Sequence, residues 1–296
     1  MRLDRQALKY RLEYVALRAV IAVFRALPLE TASALGGALW EAVAPHTSRH
    51  RRAERHLALM MPELSAEDRQ RILRGMWRNL GQTAIESLML DRIAAEPWRL
   101  LVDEECQILQ ARIMAEGGIL VAAHLGNWEV AALPLGQAHA NHAAVYRRMK
   151  NPLAERYVLA LRAPLYPAGL FAKGEAAARG LMRQAKAGGS IGIMGDLREN
   201  GGIDVPFFGH PAPSTPFPAM LARQYQRPLF AVCTVRTGRV RFRTVLREIT
   251  VPRTEDRAAD ILAATAEIQT TFETWIRRWP EQWMWAHRRI DFDAAG

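Results

Sequence analysis

The sequence predicts an α/β fold, a mixed central sheet flanked by helices and preceded by a helical N-terminal region. Three observations lead there. Residues 8–90 are rich in helix formers, with apolar positions at helical spacing. From Gly117 onward short apolar runs alternate with helical stretches, the pattern that builds a sheet covered by helices. No tract rich in Gly, Ser or Pro and no internal repeat separates the two parts, so the first helices are expected to pack on the same body.

The first element is LKYRLEYVALRAVIAVFRAL, residues 8–27, stopped by Pro28. Arg11, Arg18 and Arg25 recur at seven-residue spacing and share one stripe. A spanning helix wants ~20 residues with few or no charges. A cleavable signal needs an uncharged core and a small-residue cleavage site. Neither fits cleanly. An interfacial helix whose arginines snorkel to headgroups fits better, and an ordinary amphipathic helix packed on the domain is the alternative. The division expected is 1–45 as membrane-associated N-terminal helices and 46–296 as the main domain.

Glu30–Val43 is small and apolar, and Ala66–Leu90 is a long helical pattern with Ser65 and Asp68 as its capping start and Gly81 as a possible break. Strand-like runs follow at 117–123 (GGILVAA), 142–147 (HAAVYR), 189–196 (GSIGIMGD), 227–238 (RPLFAVCTVRTG) and 239–246 (RVRFRTVL). The last helix covers Ala258 to Arg278.

The 296 residues carry a formal charge of +10, which favours nucleic acid, an anionic membrane surface or phosphorylated substrates as partners. SRHRRAER, within His46–His56, is the densest basic patch. Most of the eight Trp sit in helical apolar patterns and no nucleic-acid motif appears, so no nucleic-acid partner is expected. Cys106 and Cys233 stand far apart without His or Cys at ligand spacing. They make neither a disulfide framework nor a metal motif, and suit buried thiols in a reducing compartment. Gly188–Gly192 matches G-x-S-x-G, but a helix precedes Ser190 and a strand follows. The order is the reverse of a nucleophile elbow, so this is a helix-stop turn.

Ile119–Ala123 ends at His124; Gly126 permits a turn, and Asn127 suits the N-cap of a helix opening at Trp128. His124 then lies at the C-terminal end of a strand, where open α/β sheets bind ligands. A strand–turn–helix junction lets the His124 imidazole meet the Glu129 carboxylate. The carboxylate would fix the tautomer and stabilise the imidazolium, while the other ring nitrogen takes a hydroxyl proton. A hydroxyl so activated attacks a thioester without a protein nucleophile. In isolation, the same spacing also suits a capping histidine and a solvated acid.

Four blocks occur in order: AHLGNWE (123–129), VYRRMKNP (145–152), GDLRENGGIDVPFFG (195–209) and PEQWMWAHRRI (280–290). On these the chain resembles the lipid A biosynthesis acyltransferases, the late lauroyl and myristoyl transferases. The resemblance implies a glycerolipid-acyltransferase-like fold at the cytoplasmic face of the inner membrane. It also implies transfer of a fatty acyl chain from an acyl carrier protein thioester to a lipid A precursor hydroxyl, with no cofactor and no metal. His124 would be general base and Glu129 its partner; Arg147 would hold phosphate or stabilise an oxyanion; Asp196 matches the first acid of the third block. Asn127, Asn151 and Arg288 complete the substrate-binding candidates, with Arg289 beside the last. Leu197 departs from the family's usual Gln. The partners implied are acyl carrier protein, a glycolipid acceptor and an anionic membrane surface. Another glycolipid or lysophospholipid acceptor, or a non-enzymatic basic membrane- or nucleic-acid-binding protein, are the alternatives.

Overall fold

Helices open the chain because residues 8–90 keep apolar side chains at helical spacing. The computed structural model describes residues 5–138 and 141–290. It places α1 at Arg5–Arg25, α2 at Leu29–Val43, α3 at Ser48–Met60, α4 at Ala66–Glu86 and α5 at Leu90–Ala94. Ser65 caps α4, its Oγ accepting from the Asp68 amide at 3.0 Å. The helix runs unbroken through Gly81, because α2 crosses it there. A Cβ on Gly81 would overlap the Gly36 carbonyl, and one on Gly36 would overlap the Ile85 side chain. The glycines let two helices approach; they do not break one.

The remaining elements follow in order: β1 (Leu100–Val102), α6 (Glu104–Glu116), β2 (Ile119–Gly126), α7 (Leu133–Gln137), β3 (His142–Tyr146), α8 (Pro152–Arg162) and β4 (Gly169–Ala172). Then come α9 (Glu175–Lys186), β5 (Ser190–Met194), β6 (Ile203–Phe207), β7 (His210–Ser214), α10 (Phe217–Gln224), β8 (Leu229–Gly238), β9 (Arg241–Ile249) and α11 (Arg257–Arg278). Seven strands form one sheet in the order β1-β9-β8-β2-β5-β3-β4, parallel except for the β8–β9 pair. β6 and β7 make a separate antiparallel hairpin. β1, β4 and this hairpin were not legible beforehand, since three to five residues carry too little periodicity.

Alternate side chains of β2 enter different cores. Val121 and Ala123 join Ile191, Ala231 and Cys233 beneath Ile268, Phe272 and Ile276 of α11. Leu120 instead joins Phe230, Val232 and Leu246, covered by Cys106 and Ile113 of α6 and Leu135 of α7. Burial on both faces explains why β2 reads as a continuous apolar run rather than an alternating one.

α1 lies along α8, and two arginines of its stripe touch other helices. Arg18 sits over the Tyr157 ring at 4.6 Å, and Arg25 pairs with Asp91 at 2.6 Å and donates to the Leu88 carbonyl. Arg18 stays exposed beside that ring, and Arg25 is half-buried. The surface left open includes large apolar side chains: Leu8, Leu12, Val15 and Val23 of α1, and Leu35, Leu39, Trp40 and Val43 of α2. Among the described residues no helix is long and apolar enough to cross a membrane.

Candidate active site

β2 delivers His124 to the edge of the sheet where the parallel strands end. Beside it, just past β5, stands Asp196, fully buried. The His124 amide donates to Asp196 Oδ2 at 2.8 Å, and His124 Nδ1 faces Oδ1 of the same carboxylate at 2.8 Å. The Trp283 indole N–H donates to Oδ2 at 2.9 Å. Burial alone would raise the Asp196 carboxyl. The charge and hydrogen bond of His124, with His287 and the Trp283 N–H, instead hold it well below the usual carboxylate range. An ionised carboxylate only accepts, so Nδ1 carries the proton and Nε2 is left as the basic nitrogen. A second imidazole, His287, stands 4.9 Å from the His124 ring, and burial pushes it down to about 4, so it is neutral near pH 7.

Glu129 does not occupy the place expected of it. The carboxylate that orients His124 belongs to Asp196, and Glu129 forms an ion pair with Arg162 at the end of α8. The reason is the turn between them. Gly126 has φ +62, and a Cβ there would overlap the Thr234 carbonyl. Its own carbonyl accepts from Asn79 Nδ2 at 3.0 Å and Thr83 Oγ1 at 3.1 Å of α4. So pinned, the chain passes Asn127 and enters a 3₁₀ turn at Val130–Ala132 before α7, rather than a helix at Trp128.

His124, Trp128, Glu129, Arg147 and Arg162 line one part of a cavity of about 300 Å³. Elsewhere its walls are Leu120, Ala122, Leu135, Ala144, Met194 and Val232. An imidazole backed by a buried carboxylate thus opens onto an apolar slot with no serine or cysteine in its lining.

Residues 3–291 match the family described as bacterial lipid A biosynthesis acyltransferase. The chain belongs to that family. A comparison with curated proteins gives no match.

The acyltransferase uses its candidate residues unevenly. His124, Glu129 and Arg147 reach the cavity, and Asp196 supports His124 from beneath. Asn127 is fully buried and holds the turn: its Oδ1 accepts from the Glu129 amide at 3.2 Å, and its Nδ2 donates to Glu86 at 2.8 Å. Asn151 caps α8 through Oδ1, and its Nδ2 donates to the Tyr10 carbonyl and Glu13 of α1 at 2.9 and 3.0 Å. Both amides are occupied by the protein itself, not aimed at a substrate. Arg288 is exposed, whereas Arg289 is fully buried and donates to Pro213 O at 2.7 Å, Ser214 Oγ at 2.6 Å and Gln269 Oε1 at 3.0 Å. Arg289 ties the last block to the hairpin and is removed from the substrate contacts.

Arg162 and Glu86 are the site residues that sequence reasoning missed. Arg162 looks like any basic residue in a last helical turn. Glu86 gave one signal, an acid at an inward position of an apolar helix. In the fold it accepts from Ser33, Asn127 and Arg236, joining α2, α4, β8 and the active-site turn.

Proposed function

We propose that this acyltransferase moves a fatty acyl chain from an acyl carrier protein thioester to a hydroxyl of a lipid A precursor, a late acylation of lipopolysaccharide synthesis. One observation carries the reading: the Asp196-backed imidazole of His124 opens onto an apolar cavity. His124 Nε2 takes the proton of the acceptor hydroxyl as its oxygen attacks the thioester carbonyl. Asp196 holds the proton on Nδ1 and stabilises the imidazolium. The tetrahedral oxyanion then collapses and breaks the C–S bond. The imidazolium returns the proton to the departing thiolate, leaving an ester and a free carrier thiol. No acyl-enzyme and no cofactor enter this scheme. Glu129 and Arg162 bring a fixed ion pair to the cavity, with the guanidinium available to the developing oxyanion; Arg147 and Arg288 stand for anionic parts of donor or acceptor.

A lipid acceptor requires a bilayer. The apolar faces of α1 and α2 supply an interfacial contact, and the basic α3 adds attraction to anionic headgroups at the cytoplasmic face of the inner membrane. The deciding experiment incubates purified protein with carrier thioesters and a panel of lipid A precursors, other glycolipids and lysophospholipids, with products identified by mass spectrometry. Acylation confined to a lysophospholipid would refute the acceptor assignment.

A further inference from the structure

The cavity beside His124 runs down one face of the sheet, and strand register gives its depth. His124 is level with Asp196, while Leu120 and Ala144 are both level with Gly192. Four residues of chain separate Asp196 from Gly192, which is about 13 Å, or the span of roughly ten methylenes.

At that lower level the apolar walls end on a polar ring. His142, at the start of β3, is 97% withdrawn from solvent, with a relative exposure of 3%, and it packs 4.9 Å from the Tyr166 ring. Its Nε2 stands 3.1 Å from where a Gly192 side chain would begin, so the missing side chain is what admits the imidazole. The Nδ1 atom has no hydrogen-bond partner, and the Leu165 backbone is a polar group against the ring. Burial keeps the ring neutral, pushing it down to about 4 with only the Leu165 backbone in opposition. A neutral ring edge tolerates a methyl group where a cation would not.

We propose that His142 and Gly192 form the floor of an acyl-chain site and set the length of the chain transferred, at a saturated decanoyl or lauroyl chain. The inference rests on the acyl-transfer reading for the identity of the ligand, and its geometry is independent of turnover. A longer chain has to displace the imidazole, whereas a shorter one leaves apolar wall uncovered.

The test separates binding from catalysis. Full-length His124→Ala protein, which cannot turn over, is titrated calorimetrically with pantetheine thioesters from octanoyl to stearoyl. Tightest binding is expected at decanoyl or lauroyl. Adding His142→Ala should move the optimum toward myristoyl and palmitoyl, and adding Gly192→Ala should move it toward octanoyl. Should His142→Ala fail to fold, Gly192→Ala decides alone. That substitution has no positive φ to strain and meets the Ala144 Cβ at an ordinary 3.6 Å, while the His142 ring edge at 3.1 Å has to give by a few tenths of an ångström. An optimum that stays put in the folded variants overturns the proposal, as does a parent protein that binds every length equally. The same panel is then run for transfer with His124 intact. Shifted binding optima without any transfer would remove the enzymatic reading and leave the floor standing.

Discussion

His124 Nδ1 lies 2.8 Å from Asp196 Oδ1, across 72 residues of chain, although Glu129 is the nearer carboxylate in sequence. Adjacent parallel strands make the long-range pair. β2 and β5 are hydrogen-bonded neighbours, and both end at the same edge of the sheet. A buried acid whose charge is matched there by an imidazole and an indole N–H is already organised for the imidazolium that the proposed transfer would form.

Replacing Asp196 therefore tests the proposed catalytic pair more sharply than replacing Glu129. Asp196→Asn keeps the shape, loses the charge and permits the wrong tautomer, so kcat should fall about 10²–10⁴-fold. Steady-state transfer assays, with circular dichroism as the check on folding, measure it. Near-normal kcat in a folded Asp196→Asn protein would show that Asp196 is only a structural acid.

Arg162→Met leaves Glu129 half of an ion pair. Removing one partner of a well-buried pair costs about 3–5 kcal/mol. Arg162 is 26% exposed, so the loss expected here is at the lower end or beneath it. Glu129→Gln in the same protein should recover part of that loss in urea denaturation. Additive destabilisation would mean that the two residues do not act as a pair.

Stability should fall on acidification before the carboxylates matter. His142 and His287 are each lowered from 6.5 to about 4 by burial, so between those values the unfolded chain binds protons that the folded chain refuses. Unfolding free energy therefore rises with pH across that window and is lost as pH drops through it, by an upper figure of about 3 kcal/mol for His142. Asp196 is shifted down as well, from a lower starting value, so its contribution disappears only at still lower pH. Denaturant midpoints at several pH values should show the acid-side loss, reduced in His142→Phe. A profile identical to wild type in that variant would exclude His142 as a source.

Gly81→Leu should be tolerated in an isolated helix and damaging here, because the side chain would enter the α2 backbone at Gly36. Overpacking of this kind costs about 1–3 kcal/mol or more. A thermal midpoint within error of wild type would show that α2 docks elsewhere in solution.

Attachment to bilayers should depend on the apolar face of α1 more than on its arginines. Leu12→Glu with Val15→Glu should release the protein from vesicles at any salt concentration. Charge reversal at Arg49 and Arg51 of α3 should weaken binding to anionic vesicles only, and mainly at low salt. Sedimentation with neutral and anionic vesicles separates the two, and a wild-type protein that ignores both kinds would refute interfacial attachment.

By itself the sequence determined the fold class, the principal strands, the α4 cap at Ser65, and His124 at a strand end before a glycine turn. These follow from local physics: side-chain periodicity, capping, and the backbone freedom that Gly126 alone provides. The four sequence blocks were equally legible, and with them the family. The sequence did not decide which carboxylate faces the imidazole, because that depends on which strand lies beside β2. Nor did it show that Asn127, Asn151 and Arg289 serve the scaffold, that Arg18 and Arg25 contact other helices, or that Gly81 lies at a helix crossing rather than a break. Each of these depends on a partner tens of residues away, and chain order says nothing of such contacts until packing brings the two surfaces together.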